Sequence, residues 1–249
     1  MGKDLRYIID SWPVGDKTNI RRITGDDGRE KIQIRVCIDT FHGILEFECD
    51  GRPDGKMPYG RPFALDYFEE QCRRLGGSFA LDHSQAQELF HEGSAIYHRY
   101  ALLLQMGDYD RTIRDTERNM RLFRFVHSYA AEEEDRNTLE KWWPYIIRIH
   151  ATAQALDHVS KNQHGAAIAA LQAAQRCINS LAEIDDDIFE FETIRSSSAL
   201  AELESRISQD RPLTDIEQLE RLRDQAVMEE DYEEAAALRD RIELLRQHG

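Results

Sequence analysis

The chain has 249 residues, of which 41% are hydrophobic and 32% charged, and its formal net charge is −15 at pH 7. That length supports one sizeable hydrophobic core or two small ones. No apolar run approaches the roughly eighteen residues of a membrane-spanning helix. Residues 1–11 lack the basic, then apolar, then small residues that make up a secretory signal. We therefore expect a soluble, cytoplasmic protein that crosses no membrane.

The first predicted element is a β-hairpin inside an N-terminal unit, residues 1–62. Apolar side chains occupy every second position of residues 32–38 and again of residues 45–49, which is the period of a half-buried strand. Gly43 is predicted near the turn. Because two isolated strands are marginally stable in water, we expect the hairpin to pack against the following helices or against a second copy of itself.

A loop follows at residues 50–62, where three glycines and three prolines in 13 residues exclude a regular element. The mixture of glycine with Arg52, Lys56 and Arg61 is typical of a phosphate-binding loop. However, the segment lacks the strand, loop, Gly-Lys-Ser/Thr and helix order that directs backbone amides onto a phosphate. An ordinary connection is favoured over an anion site.

Helical periodicity predicts a body of residues 63–209 with helices over 63–75, 84–106, 110–129, 137–159, 166–184 and 187–209. Two of the turns, "GDYDRTI" (107–113) and "HGAAIAAL" (164–171), resemble those of tetratricopeptide (TPR) units. They lie 57 residues apart rather than the 34 of that repeat. We therefore predict a mostly α protein with TPR-like helical hairpins, not a tandem array.

A polar cluster is predicted where the first of these helical hairpins closes. Its members are Asp115, Glu117, Arg118, Asn119, Tyr97, Arg99 and Tyr100. Two interpretations remain open, a buried ion-pair network that links the helices and a ligand site, and the network is favoured. For residues 142–145, Trp-Trp-Pro-Tyr, packing at a helix start is favoured over an exposed aromatic platform.

The sequence predicts no catalytic residue, cofactor or metal site. His91 and His98 share a helical face but are separated by about 10 Å of rise, too far for one zinc ion. The cysteines form no Cys-x-x-Cys pair and are expected to be small buried residues; they are Cys37, Cys49, Cys72 and Cys177. Because the chain also lacks a Gly-x-x-x-x-Gly-Lys-Ser/Thr loop, we expect it not to be an enzyme.

The last predicted unit, residues 213–247, is a two-helix hairpin that follows a break at Pro212. Thr214 and Glu217 form a capping box for the first helix, and Asp231 is predicted to cap the second. Each helix has an apolar stripe. The first consists of Ile216, Leu219, Leu222 and Ala226, and the second of Ala235, Leu238, Ile242 and Leu245. Such short helices are marginal alone, so the stripes are expected to press on a partner or on the rest of the chain.

The segment "LERLRDQAVMEEDYEEAAALRDRIELL" (219–245) resembles the UVR motif of the bacterial excision-repair proteins UvrB and UvrC. Similar hairpins occur in the activator of bacterial protein-arginine kinase and in some Clp-type unfoldases. The words "GDDGREKIQIRV" (25–36), "DGRPDG" (50–55) and "RDTERN" (114–119) are similar to those of a set of bacterial UVR-motif proteins. The resemblance implies a protein–protein contact element, which often pairs with another hairpin of its kind.

From this resemblance we expect a non-enzymatic adaptor that contacts another protein, either a UVR-containing one, such as an excision-repair subunit or a Clp-type unfoldase, or a second copy of the chain. The residues predicted to bind the partner are Leu219, Leu222, Asp231, Tyr232, Ala235, Leu238, Arg239, Asp240 and Ile242. The alternative is a small-molecule or anion sensor, or an enzyme, with a polar pocket between the loop at 50–62 and the first helical hairpin.

The negative charge is concentrated in the C-terminal part. Residues 183–249 carry 20 acidic and 8 basic side chains, a net charge of −12, which leaves −3 for the remainder. Phosphate backbones are bound by clustered Lys and Arg, so direct nucleic-acid binding is disfavoured and a basic or mixed protein surface suits this part better.

We therefore predict weak DNA binding, with a dissociation constant above about 10⁻⁶ M at roughly 0.15 M salt. Fluorescence anisotropy with a duplex oligonucleotide measures it. A nanomolar complex at that salt concentration would contradict the charge argument and would indicate a basic face in residues 1–182.

Overall fold

The computed structural model describes residues 5–12, 19–38, 41–210 and 215–248, and the chain forms two compact units, Met1–Glu204 and Ser205–Gly249. The strands are β1 (Ile20–Thr24), β2 (Glu30–Ile38) and β3 (Phe41–Glu48). The helices are α1 (Leu5–Asp10), α2 (Ala64–Leu75), α3 (His83–Gln105), α4 (Tyr109–Tyr129), α5 (Glu133–Thr138), α6 (Trp143–Ser160), α7 (His164–Asn179), α8 (Asp187–Asp210), α9 (Asp215–Met228) and α10 (Tyr232–His248).

The fold class is mostly α, with an N-terminal antiparallel sheet and a C-terminal helical pair, as predicted. The division into domains at 1–62, 63–209 and 213–247 stays a prediction. Among the residues that the structure describes, no helix combines the length and the apolar character that a bilayer crossing needs.

The sheet has three strands in the order β1-β2-β3 instead of the predicted two. The sequence of β1, Ile-Arg-Arg-Ile-Thr, offers only two apolar residues, too few to show a period. The prediction that Gly43 lies near the turn is wrong, because Gly43 pairs with Val36 inside the β2–β3 ladder. The ladder continues to Ile38 opposite Phe41, so the connection is residues 39–40, outside the described residues.

The sheet packs against the helical body of its own unit. Ile32 of β2 and Cys49, which follows β3, are fully buried together with Leu103 of α3. The hairpin was expected to pack against the following helices or against a second copy of itself, and the structure shows packing against the helices.

Burial of all four cysteines was predicted, and this prediction was too broad, because Cys37 and Cys177 are exposed and Cys72 is half-buried.

Two antiparallel helical hairpins, α3–α4 and α6–α7, make up most of the body, as the periodicity predicts. Asp82 and Gln85 begin α3 with a reciprocal capping box. The predicted helix over 137–159 begins later, at Trp143, because the short helix α5 and a 3₁₀ turn at Glu140–Trp142 precede it. Pro144 lies in its first turn, where the missing N–H costs nothing.

The predicted helix over 166–184 is also shorter, since α7 ends at Asn179. Ser180 is the C-cap, and its hydroxyl donates to the Cys177 carbonyl at 2.8 Å, a local bond that competes with further helix. Helix α8 packs beside this hairpin. Its Ser196 hydroxyl accepts from Arg148 Nε at 3.1 Å, and Leu200 is fully buried.

The predicted polar cluster contains a buried ion pair between α3 and α4. Arg99 is fully buried, and its Nε and Nη2 atoms donate to Asp115 Oδ2 and Oδ1 at 2.6 and 2.9 Å. Its Nη1 donates to the carbonyl oxygens of Glu48 and Gly51 at 3.0 and 2.6 Å. Arg99 therefore joins the two helices to the end of β3 and to the loop that follows it.

Asp115→Asn is expected to lower the free energy of unfolding by about 3 kcal/mol, because Arg99 would keep a buried charge without its counter-ion. Urea denaturation followed by circular dichroism measures the change. Asp110→Asn, at an exposed position in the first turn of the same helix, is the control and should cost less than about 1 kcal/mol. Equal effects of the two substitutions would contradict this account.

Candidate protein-docking site

The C-terminal unit is a helical hairpin whose turn is fixed by backbone hydrogen bonds. Asp231 N–H donates to the Ala226 carbonyl at 2.8 Å, and Glu230 N–H donates to the Val227 carbonyl at 3.2 Å. This pair of bonds defines a Schellman motif, which ends α9. Glu230 has a φ of 61°, the left-handed conformation that glycine usually supplies at this position.

The second helix starts directly after this turn. Asp231 Oδ1 accepts a hydrogen bond from Glu234 N–H at 3.1 Å, so the predicted N-cap at Asp231 is confirmed. The predicted capping box of the first helix depends on Thr214, and the predicted break depends on Pro212; both lie outside the described residues.

Small and branched apolar side chains hold α9 and α10 together. Ala226, Ala235 and Ile242 are 5%, 8% and 2% exposed, and the two alanines flank the turn, where they let the helices approach closely. At the other end Arg246 Nη2 contacts Glu220 Oε1 at 2.6 Å across the hairpin. The antiparallel register is therefore fixed at both ends.

One side of the hairpin exposes leucines. From the helical period and the antiparallel register, we infer that Leu222, Leu238 and Leu245 lie on the same side; we call them the leucine face. Leu222 and Leu245 are 52% and 39% exposed and Leu238 is half-buried. Val227, 48% exposed, lies on the opposite side by the same reasoning.

The remaining predicted partner-binding residues are divided between the surface of the hairpin and the contact between α9 and α10. Asp231, Tyr232, Arg239 and Asp240 are exposed, and Leu219 is half-buried. Ala235 and Ile242 are buried, as described above. Arg239 and Asp240 pair with each other at 2.9 Å on the surface. As residues that contact a partner, all nine stay predictions. Leu245 also belongs to the leucine face, although it is not among the nine. Its position three residues after Ile242, on the same apolar stripe, is the sequence signal that would have added it to the predicted partner-binding residues.

The basic residues of the loop at 50–62 do not converge on one pocket. Arg52 Nη1 contacts Glu92 Oε2 at 3.1 Å, whereas Arg61 pairs with Glu70. Glu92, on α3, is fully buried and accepts the N–H groups of Ala64 and Leu65 at 2.8 and 3.2 Å. Glu92 thereby caps the N-terminus of α2, a role that the sequence did not indicate.

A cleft of about 510 Å³ does lie beside this loop and the arginines of α4. Its charges are largely paired. Arg118 stacks on the Phe63 ring at 3.2 Å and lies 3.4 Å from Asp66, and Arg114 contacts Asp50. The hydrogen bond from Arg111, followed by that from Arg114, holds the pKa of Asp50 at about 2. This pairing is the arrangement expected of a structural network.

Metal ligation finds no support in the part of the chain that is described, where no group of three or more His, Cys, Asp or Glu side chains is arranged to hold a metal ion. In the C-terminal unit the exposed apolar residues are suited to contact another molecule, because they can bury surface against a protein.

The sequence of residues 215–247 matches the UvrB/uvrC motif family, UVR. The match coincides with the hairpin of α9 and α10, so the chain is a UVR-motif-containing protein, as its sequence predicted. UVR motifs mediate protein–protein interactions, for example in UvrB and UvrC. No curated protein and no solved structure matches the chain.

The turn provides a test of how the hairpin is specified. Glu230→Gly should stabilise the hairpin by about 1 kcal/mol, because a residue with a Cβ atom is strained in the left-handed conformation. Glu229→Gly is the matched control, since Glu229 does not have a positive φ; it should destabilise the hairpin instead. Hydrogen exchange of the α10 amides reports both effects, and slower exchange in both variants would contradict the assigned turn.

Proposed function

We propose that this protein is a non-enzymatic adaptor that docks a partner protein through the leucine face of its UVR hairpin. The observation that carries the proposal is the exposure of Leu222 and Leu245 in a unit that matches a protein-interaction motif. Apolar side chains on one side of a helical hairpin gain free energy when a partner removes them from water.

The magnitude of this gain shows how much the leucine face contributes to binding. Full burial of a leucine side chain contributes about 1.5–3 kcal/mol, and the two exposed members of the leucine face are roughly half-buried already. Their contribution together is therefore about 2–3 kcal/mol, which changes a dissociation constant by about two orders of magnitude. Contacts around this face must provide the remainder of the affinity.

Charge restricts the kind of partner. The C-terminal part carries a net charge of −12 over residues 183–249, and acidic side chains surround the turn at Glu229, Glu230, Asp231, Glu233 and Glu234. A partner with a basic rim around an apolar groove would associate faster and would be distinguished from acidic surfaces. Raising the salt concentration should mainly slow association.

Among UVR-containing proteins, an excision-repair subunit and a Clp-type unfoldase are the partners that the motif suggests, and a second copy of this chain is the alternative. DNA repair and stress proteostasis are the corresponding processes. We further propose that the protein has no catalytic activity of its own. Arg99 and Asp115 of the polar cluster neutralise each other in the interior, and Arg52 of the neighbouring loop pairs with the buried Glu92.

The proposal is tested with full-length tagged protein in an extract of its native host. Leu222→Glu and Leu245→Glu should each lower the recovery of bound partner at least tenfold, because a carboxylate at a buried contact costs several kcal/mol. Both positions are exposed in the free protein, so the melting temperature should not change. Mass spectrometry identifies the partner, and sedimentation of the purified protein detects self-association.

Val227→Glu is the matched control, since it adds the same charge at similar exposure on the opposite side. The amount of partner recovered with the Val227→Glu protein should remain within about threefold of the amount recovered with the wild type. A loss caused by Val227→Glu alone would exclude the leucine face. Unchanged recovery after deletion of residues 213–249 would contradict docking through the hairpin altogether.

A further inference from the structure

An aromatic cavity of about 480 Å³ lies within the N-terminal unit, among α3, α4, α6 and α8. This volume is in the range of small-molecule sites, which are mostly apolar with a few placed polar groups. Six rings line it, those of Phe90, Tyr97, Tyr100, Phe123, Trp142 and Tyr145. It belongs neither to the UVR hairpin nor to the cleft beside the loop at 50–62.

Asn119 supplies a hydrogen-bond acceptor at the cavity wall. The residue is 1% exposed, and its Nδ2 donates to the Gly93 carbonyl at 2.9 Å. Its Oδ1 has no hydrogen-bond partner within the described ranges. Unpaired buried acceptors are rare in folded proteins, because each one loses its hydrogen bonds to water without a replacement.

Glu192, on α8, supplies a second acceptor. It is 4% exposed, and its Oε1 accepts from Arg195 Nη1 at 3.2 Å. Its Oε2 has no hydrogen-bond partner in the part of the chain described, and Arg148 Nη2 is 3.7 Å away. Because two arginines already balance the carboxylate, the cavity suits a neutral ligand that donates hydrogen bonds better than it suits a cation.

The phenol groups of Tyr100 and Tyr145 at the cavity wall are uncharged. Burial raises the pKa of Tyr100 well above its usual range, and burial together with Tyr97 does the same to the pKa of Tyr145. Tyr97 contacts both rings edge to face, with centroid distances of 5.6 Å. Tyr97 and Trp142 are each 38% exposed and form the accessible side of the cavity.

We propose that this cavity binds a neutral, planar aromatic heterocycle with N–H donors, whose ring packs among the aromatic walls while its donors face Asn119 Oδ1 and Glu192 Oε2. The aromatic rings select a flat ligand through stacked and edge-to-face contacts. The two acceptors select against a hydrocarbon of the same shape, which would leave them unpaired.

Isothermal titration of the full-length protein with indole, adenine and benzofuran tests the proposal. Indole and benzofuran have nearly the same shape, but only indole has an N–H donor. At least one of the two N–H heterocycles should bind, and indole should bind at least tenfold more tightly than benzofuran. In the wild type, nuclear Overhauser contacts from the bound heterocycle should reach the rings of Tyr97 and Trp142.

Ser94→Trp is designed to fill the cavity, because Ser94 lines it yet is exposed. It should reduce binding at least tenfold without lowering the melting temperature. His91→Trp places the same side chain at an exposed position of α3 outside the cavity and should leave binding unchanged. The proposal is overturned if neither indole nor adenine binds, if indole and benzofuran bind equally, or if the Overhauser contacts lie elsewhere.

Discussion

A guanidinium group with no exposed surface lies where four segments of the N-terminal unit meet. Arg99 satisfies two donors with one carboxylate of α4, and it gives a third nitrogen to backbone carbonyls at the end of β3 and in the loop beyond it. An unpaired buried charge would cost several kcal/mol, so the native position of each of these four segments depends on the others. The sheet is held to the helices by this requirement as well as by the contact of Ile32 with Leu103.

The two compact units differ in the interactions that stabilise them. The N-terminal unit neutralises its interior charges internally, and its helices share an extended apolar core. In the C-terminal unit α9 and α10 share a narrow seam, in which Ala226, Ala235 and Ile242 are the buried apolar side chains among those described. Its acidic surface and its exposed leucines remain available to another molecule. Helical hairpins of this length are marginal alone, which is consistent with a unit whose stability increases when a partner is bound.

Elements with a long, regular period were predicted well from the sequence. Helices α3, α4 and α8 were placed within one or two residues, and the hairpin of α9 and α10 followed from its stripes and from Asp231. The failures have physical causes. Strand β1 is too short and polar to show a period, and the predicted turn at Gly43 lies inside the β2–β3 ladder instead. The pairings of Glu92 and Asn119 depend on tertiary contacts, which local patterns do not record.

The capping of α2 by Glu92 of α3 bears on the order in which the chain folds. The first amides of α2 find their acceptor in Glu92, 28 and 27 residues further along the chain, rather than in a neighbouring side chain. Until α3 is in place, the start of α2 has no acceptor except water. A ribosome-bound chain that ends before Glu92 lacks the group that caps this helix, so we expect α2 to become stable only after α3 has been made.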